Sequence, residues 1–487
     1  MLPKLESPAV LLGLFTGCCT PRGMGAARPS QVLSSDRRSI SGSSNRLAVT
    51  QGHLIQMVTA MSEPVKRRWP FEAVFLLALG ASLLFPTLAR AQTKYQVLDS
   101  FNCSTEGCEP LGAVTFDKFG RLYGTASGGG YIGGQCLQGC GTVFEMNRLP
   151  ALSSWSLRTL HEFDFQTDGG FPEAGITLDG SGTIFGTVST GPPQYDSGAV
   201  FQMNVAAANG AGKWNIALPF QFDLYTNGSQ PESVLTLDAT GSLYGTTRLA
   251  GAYAGIVYKL APTEAGWVET TIYGFCQQPP CTDGADPISG VVFDAEGNLY
   301  GATPYGGNGY GVVYELIHTP SGQWNEKILW TFSGGTDGGY PGRDLIFDKQ
   351  GNLYSTATGG GPYDDGVVFK LTPDGQGGWQ ESVIYGFPDA QNGGVPFSSL
   401  TMDAAGNMYG VSKGGIEACD SGCGVVYRLH PESNGQWSYA VLQKFAGPPN
   451  DGAEPWAGVT LDGKGNLFGT TAFGGTYNQG TVYEISP

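Results

Sequence analysis

Seven times between residues 110 and 465 a Pro stands seven residues before an Asp, and a Gly follows that Asp three residues later. The prolines are Pro110, Pro172, Pro231, Pro287, Pro341, Pro396 and Pro455, and the aspartates are Asp117, Asp179, Asp238, Asp294, Asp348, Asp403 and Asp462. Around them PLGAVTFDKFGRLYGTA, PISGVVFDAEGNLYGAT and PWAGVTLDGKGNLFGTT are plainly one unit, with a mean period of 57.5 residues. A chain built this way must fold as an array of like modules, because one unit cannot bury its apolar side alone.

Each unit divides into four strand-like runs: an apolar stretch ending at the Asp (GVVFD), the alternating NLYGAT, a Gly-initiated run with a fixed Val (GVVYEL), and an aromatic run closing on Phe (WVETTIYGF). The fixed valines are Val143, Val200, Val257, Val313, Val368, Val426 and Val482. Period-two alternation, β-branched and aromatic residues, and turn residues between the runs predict antiparallel meanders and no long helix. The last unit stops after its third run, while KYQVLDSF (94–101) is an orphan fourth run ahead of the first Pro. Joining the two would close a ring and remove its free edges. The expected fold is therefore all-β, a seven-bladed β-propeller over 92–487 with four antiparallel strands per blade, rather than an open solenoid or a sandwich.

The units GNLFGTTAFGGTYNQGTVYEI and GNLYGATPYGGNGYGVVYEL resemble the Gly-rich tandem repeats of the GloVer (choice-of-anchor) family of exported bacterial proteins, and more loosely NHL-type propeller repeats. The resemblance covers essentially all of 94–487. It implies export and a propeller-like array, and brings no activity with it.

Residues 61–91 have the order of a cleavable signal peptide: Lys66, Arg67 and Arg68, an apolar run from Ala73 to Ala89, then Ala89-Arg90-Ala91. Cleavage is expected before Gln92. Pro86 interrupts a run already shorter than the ~20 residues of a membrane span. Residues 1–60 read as a non-native or disordered extension. Without 1–91 the chain keeps 16 basic and 38 acidic side chains, a net charge near −22. Such a surface repels nucleic acid and anionic membranes and leaves polysaccharides or extracellular proteins as partners of a monomer.

Eight cysteines remain in four close pairs, Cys103/Cys108, Cys136/Cys140, Cys276/Cys281 and Cys419/Cys423. An exported chain with an even number of paired cysteines points to four local disulfides rather than zinc, because only His161, His318 and His430 could assist a metal. The expected location is secreted, periplasmic or at the cell surface.

In a meander blade the Asp-x-x-Gly turns fall on one face, here the turn face. The loops from strand two to three and from blade to blade fall on the other, here the loop face. All four cysteine pairs map to the loop face, with a ring of tyrosines: Tyr131, Tyr195, Tyr253, Tyr310, Tyr363 and Tyr477. Rigid amphipathic tyrosines on ordered loops suit sugar rings or protein partners, although each could merely cover its own loop. Asp168, Asn227, Asp283, Asp337, Asn392 and Asp451, with Glu106, form a second series there, either as turn formers or as an electronegative rim. Arg343 and Asp344 replace the small residues that follow the other prolines, which makes them candidates for a polar contact in the channel or for an ion pair with each other. None of the three histidines is expected on the loop face, which leaves no His-dependent triad there.

Two functional readings follow. The first is a binding or scaffold propeller that engages a glycan or protein through its stapled, Tyr-ringed face. The second is a propeller lyase or hydrolase acting on carbohydrate or lactone through carboxylates at the channel mouth. No cofactor is expected of the first; calcium would enter only with the second.

Overall fold

The computed structural model describes residues 93–486, apart from 133–135, 150–153, 194–196, 206–213, 251, 390–392, 415–418 and 420–421. The extension 1–60, the leader 61–91, Tyr195 and Asn392 lie outside the described residues. Every regular element among the described residues is a strand.

Seven antiparallel sheets stand as blades in a ring, a seven-bladed β-propeller, and a two-stranded ribbon, Gly452–Ala453 with Phe473–Gly474, accompanies the last blade. In the first blade Thr115–Phe116, Leu122–Ala126, Thr142–Leu149 and Ser154–Glu162 pair in chain order, and the next blades repeat this order. Blade five carries an additional short strand, Gly339–Pro341, paired with Leu353–Gly359. The last blade takes Thr460–Leu461, Leu467–Thr471 and Thr481–Ser486 from the end of the chain and Lys94–Ser100 from its start. The closing register runs from Lys94 opposite Ser486 to Ser100 opposite Thr481. The orphan fourth run therefore completes the ring, as its sequence required.

Why the same residues recur becomes clear from what each one meets. The seven fixed valines are fully buried, as are the seven phenylalanines that end strand four, Phe101, Phe163, Phe222, Phe275, Phe332, Phe387 and Phe445. Each of these phenylalanines donates its N–H to the carbonyl of the glycine that opens strand three, from Phe163 to Gly141 (3.0 Å) around to Phe101 and Gly480 (3.0 Å). Those glycines are Gly141, Gly198, Gly255, Gly311, Gly366, Gly424 and Gly480, all with φ between +88° and +105°. A Cβ on any of them would stand 2.2–2.7 Å from Cδ of the next blade's proline, and Gly480 meets Pro110 across the closure. Glycine is needed twice over, for the left-handed backbone and for the close approach.

The residue before each proline also has positive φ, 55–60°: Glu109, Phe171, Gln230, Asp286, Tyr340, Val395 and Glu454. Each donates its N–H to the preceding blade, as Phe171 does to the Cys140 carbonyl (2.8 Å), and most accept from their own strand two, as Phe171 does from Ser189 (3.1 Å). Backbone strain at these positions is offset by stitching neighbouring blades together. Further out, strand-four tryptophans pack edge-on against the strand-two aromatic of the blade before, as in Trp214 on Tyr123, Trp379 on Tyr300 and Trp155 on Phe468.

The Asp-x-x-Gly turns carry the same hydrogen bonds in all seven blades. One carboxylate oxygen accepts from the N–H groups two and four residues on, as Asp403 does from Ala405 and Asn407 (both 2.9 Å). With this oxygen engaged, the aspartates act as turn residues, in agreement with their hairpin reading. Among the described residues no group of three or more His, Cys, Asp or Glu is arranged to hold a metal ion. No helix among them is long and apolar enough to cross a membrane.

Candidate functional site

The two faces differ sharply. All four cysteine pairs are disulfide-bonded, Cys103–Cys108, Cys136–Cys140, Cys276–Cys281 and Cys419–Cys423, and all brace loop-face segments. Four such bridges place the fold in an oxidising compartment. Twelve of the fifteen large apolar or aromatic side chains exposed among the described residues belong to the same face, the exceptions being Phe119, Leu149 and Val268.

Five members of the expected tyrosine ring are described, and all are exposed: Tyr131, Tyr253, Tyr310, Tyr363 and Tyr477, at 36–60%. They are not equivalent. Tyr253 lies against Gly274, where a Cβ would come within 2.8 Å of the ring, and Tyr310 lies against Gly334 and Gly339. These two rings are held on a glycine floor. The ring residues were found by their spacing after strand two; Tyr225, Tyr305 and Tyr340 were missed because they stand elsewhere in their units. Tyr305 and Tyr310 both contact Tyr340 edge-on, at 5.9 and 5.6 Å, which makes a three-tyrosine cluster between blades four and five.

The turn-forming acids mostly fold back on their loops. Asp168 accepts from the Asp164 N–H (2.7 Å), Asn227 from Asp223 (2.7 Å) and Asp337 from Ser333 (3.0 Å). One expectation about histidine is overturned here. As a strand-four residue His161 is expected away from the loop face, yet its Nε2 lies 2.8 Å from Asp168 Oδ2. Strand four runs towards the loop face, and His161 stands at that end. Tyr273 braces Asp283 in the same manner in blade three (3.1 Å), so the pair is a structural strut. His318 meets Trp324 edge-on and His430 binds Asn407, both at the turn-face ends of third strands.

The first strands turn their opening residues into the axial channel, where a cavity of about 160 Å³ is lined by residues of all seven blades. The position after the proline reads Leu111, Glu173, Glu232, Ile288, Gly342, Phe397 and Trp456. Arg343 and Asp344 line the cavity too, so the structure brings both sequence candidates to the axis. They do not form the ion pair that was one reading of them. Arg343 lies over the Phe397 ring, 3.9 Å from its centroid. Asp344 binds sideways, accepting from the Gly290 N–H (2.6 Å) and from Ser399 Oγ (2.8 Å), and so ties blade five to both neighbours.

Glu173 and Glu232 were missed from sequence because their position repeats in no pattern: a series of Leu, Glu, Ile, Gly, Phe and Trp offers no periodicity. Burial, then Glu232 beside it, pushes the Glu173 carboxyl up to about 7. Burial raises Glu232 as well, against the pull of Arg248, which stands 3.7 Å away. Burial brings the Arg343 guanidinium down to about 10, with Asp344, Glu232 and Glu173 opposing. At the rim, burial lowers Lys413 to about 8; its ammonium sits 3.1 Å from the centroid of the Trp456 ring and 4.3 Å from that of Phe397. The cavity is thus bipolar, with carboxylates from blades two and three on one side and cations with aromatic rings from blades five to seven on the other.

A disulfide-braced, seven-bladed propeller of one tandem unit, with its exposed aromatics gathered on one face around a charged axial mouth, is the class of protein that fold and site define. The model of the Gloeobacter/Verrucomicrobia repeat matches residues 194–420 and, overlapping them, 308–487; the chain belongs to this repeat family. The resemblance carried by the Gly-rich units is thereby borne out. No curated protein matches the sequence.

Proposed function

We propose that this protein is an exported binding module whose loop face engages a polysaccharide or an extracellular protein. The observation that carries the reading is the segregation of exposed large apolar and aromatic side chains among the described residues, twelve of fifteen on one side. Contiguous exposed apolar surface on a soluble fold marks an interaction site, and tyrosine combines apolar area with a hydroxyl at small entropic cost. Disulfides in the same loops reduce the ordering that binding would otherwise require. Export through the 61–91 leader accords with the four bridges and keeps the chain in an oxidising space.

The test is a screen of the chain from Gln92 onwards against polysaccharides and glycans, with and without calcium. A saturable ligand, lost when Tyr253, Tyr363 and Tyr477 become Ala in a folded protein, supports the reading. Unchanged affinity in that variant removes the tyrosines from it.

A second reading, a hydrolase or lyase on carbohydrate or lactone, is favoured by one observation: a carboxyl held near neutrality, Glu173, beside a second one, Glu232, in a cavity. Turnover of any bound glycan that is abolished by Glu173→Gln would establish it; binding without turnover would leave the module reading alone.

A further inference from the structure

The axial cavity sets two carboxylates, Glu173 with a hydrogen bond to Ser189 and Glu232 beside Arg248, opposite a guanidinium, Arg343, that the protein leaves without a close polar partner. Glu173 and Glu232 come from the same strand position of adjacent blades and face one space. Among the described residues the only cation within 4 Å of either is Arg248, 3.7 Å from Glu232. Opposite them, Arg343 is surrounded by protein, and the surface it keeps lines the cavity. Its guanidinium makes no ion pair or hydrogen bond among the described residues, and its contact is the face of Phe397. Neighbouring Asp344 cannot easily serve it, since both carboxylate oxygens are occupied by Gly290 and Ser399. A guanidinium removed from water without a polar partner is costly, and one that lines a cavity offers its donors to a planar anion.

We propose that the axial cavity is a binding site for a small zwitterion of the α-amino-acid class, with its ammonium group between Glu173 and Glu232 and its carboxylate on Arg343. The charge pattern selects this class over the obvious alternatives. A simple anion would satisfy Arg343 and face two carboxylates, whereas a simple amine would satisfy the glutamates and leave Arg343 as it is. A neutral sugar could hydrogen-bond to both walls but would neutralise neither. The volume also fits: an apolar cavity of ~150 Å³ is enough for a benzene ring, so about 160 Å³ admits a compact amino acid. This site is separate from the tyrosine rim and does not depend on the proposed function.

Titration calorimetry on the chain from Gln92 onwards, with L-alanine, L-serine, propionate, ethylamine and glucose as separate probes, tests the site, and Trp456 in its wall offers a fluorescence readout. The expected result is one-to-one binding of the amino acids, with propionate and ethylamine roughly tenfold weaker or worse. Arg343→Gln should reduce alanine affinity to the level of ethylamine, and Glu173→Gln with Glu232→Gln to the level of propionate. Arg343→Lys, which keeps the charge, should retain part of the affinity if the variant melts like the parent. The Tyr253, Tyr363 and Tyr477 triple Ala variant should bind alanine unchanged, so failure here and failure of the loop-face reading are separable. No binding of either amino acid, propionate binding as tight as alanine, or glucose binding without amino-acid binding would each overturn the proposal.

Discussion

The glycine that opens strand three shows how one atom decides a sevenfold pattern. At Gly255 an added Cβ would lie 2.3 Å from Pro287 Cδ, and at Gly424 it would lie 2.2 Å from Pro455 Cδ, in both cases on a left-handed backbone. Gly255→Ala or Gly424→Ala should therefore lower stability by about 2–4 kcal/mol, read from the urea midpoint at constant slope. Glycine at the Leu-Tyr-Gly position has a different cause. There the space is filled by the strand-three aromatic, for example the Tyr314 hydroxyl, 2.2 Å from a Cβ on Gly301. Blade five alone has Ser355, opposite Phe369; Ser355 Oγ donates to the Arg343 and Asp344 carbonyls (both 3.1 Å). The one exception in the pattern thus lies directly behind the channel candidates.

Residue-scale electrostatics give a pH prediction with a definite sign. Burial, then Asp283 for Glu326 and Asp337 for Glu381, raises both carboxyls from 4.5 to about 7. A raised acid binds more protons in the folded state. Its contribution is fully present below pH ~4.5 and is lost as pH rises through about 7. Glu326→Gln and Glu381→Gln should accordingly flatten the loss of stability between about pH 4.5 and 7, each by about 1 kcal/mol after discounting for solvent, read as a shallower fall in melting temperature over that range. They should change little at pH 4.5. Asp179, Asp238, Asp348 and Asp403 behave oppositely: burial raises them, but their turn hydrogen bonds outweigh it and hold them below the usual range. Their contribution is present above pH ~4 and disappears on acidification through the folded value.

At the scale of the element, the closing strand bears most weight. Lys94–Ser100 supplies the outer strand of the last blade, and Phe101 fills its core position. Removing 92–101 should expose the edge of Thr481–Ser486, lower the thermal midpoint and promote self-association, as seen by sedimentation. An open solenoid would tolerate the loss. The disulfides are local, closing loops of four or five residues, so each contributes about 2 kcal/mol on the chain-entropy account. Reduction should leave the far-ultraviolet strand signal in place while increasing proteolysis of the loop face. Strand type, blade number and closure could be read in advance because each rests on a residue that recurs seven times. His161 could not be placed so simply: its strand was correctly recognised, but the direction in which that strand runs decides which face its end reaches.

On the scale of the whole molecule, symmetry and function separate. The repeated positions hold the ring together, as valine, Phe, Gly–Pro contacts and Asp turns do in every blade. The positions that break the repeat, Glu173, Glu232, Arg343, Asp344 and Trp456, meet at the axis, with Phe397 against Arg343. This is why the fold was legible in the sequence and the channel mouth was not. Periodicity exposes what is common to the units, whereas a site assembled from one residue per blade consists of what is not common. Arg343 and Asp344 stood out only because two charged residues interrupted a run of small ones. The tyrosine rim fell between these extremes, since five described members follow a spacing and Tyr305 and Tyr340 do not.

The loop face is proposed as the binding face. The most direct measurement is the affinity of the chain from Gln92 onwards for the best ligand of a polysaccharide screen, compared with that of the folded Tyr253, Tyr363 and Tyr477 triple Ala variant. Loss of roughly tenfold or more in affinity, with an unchanged melting temperature, is the result this account predicts; equal affinity of the two proteins would contradict it.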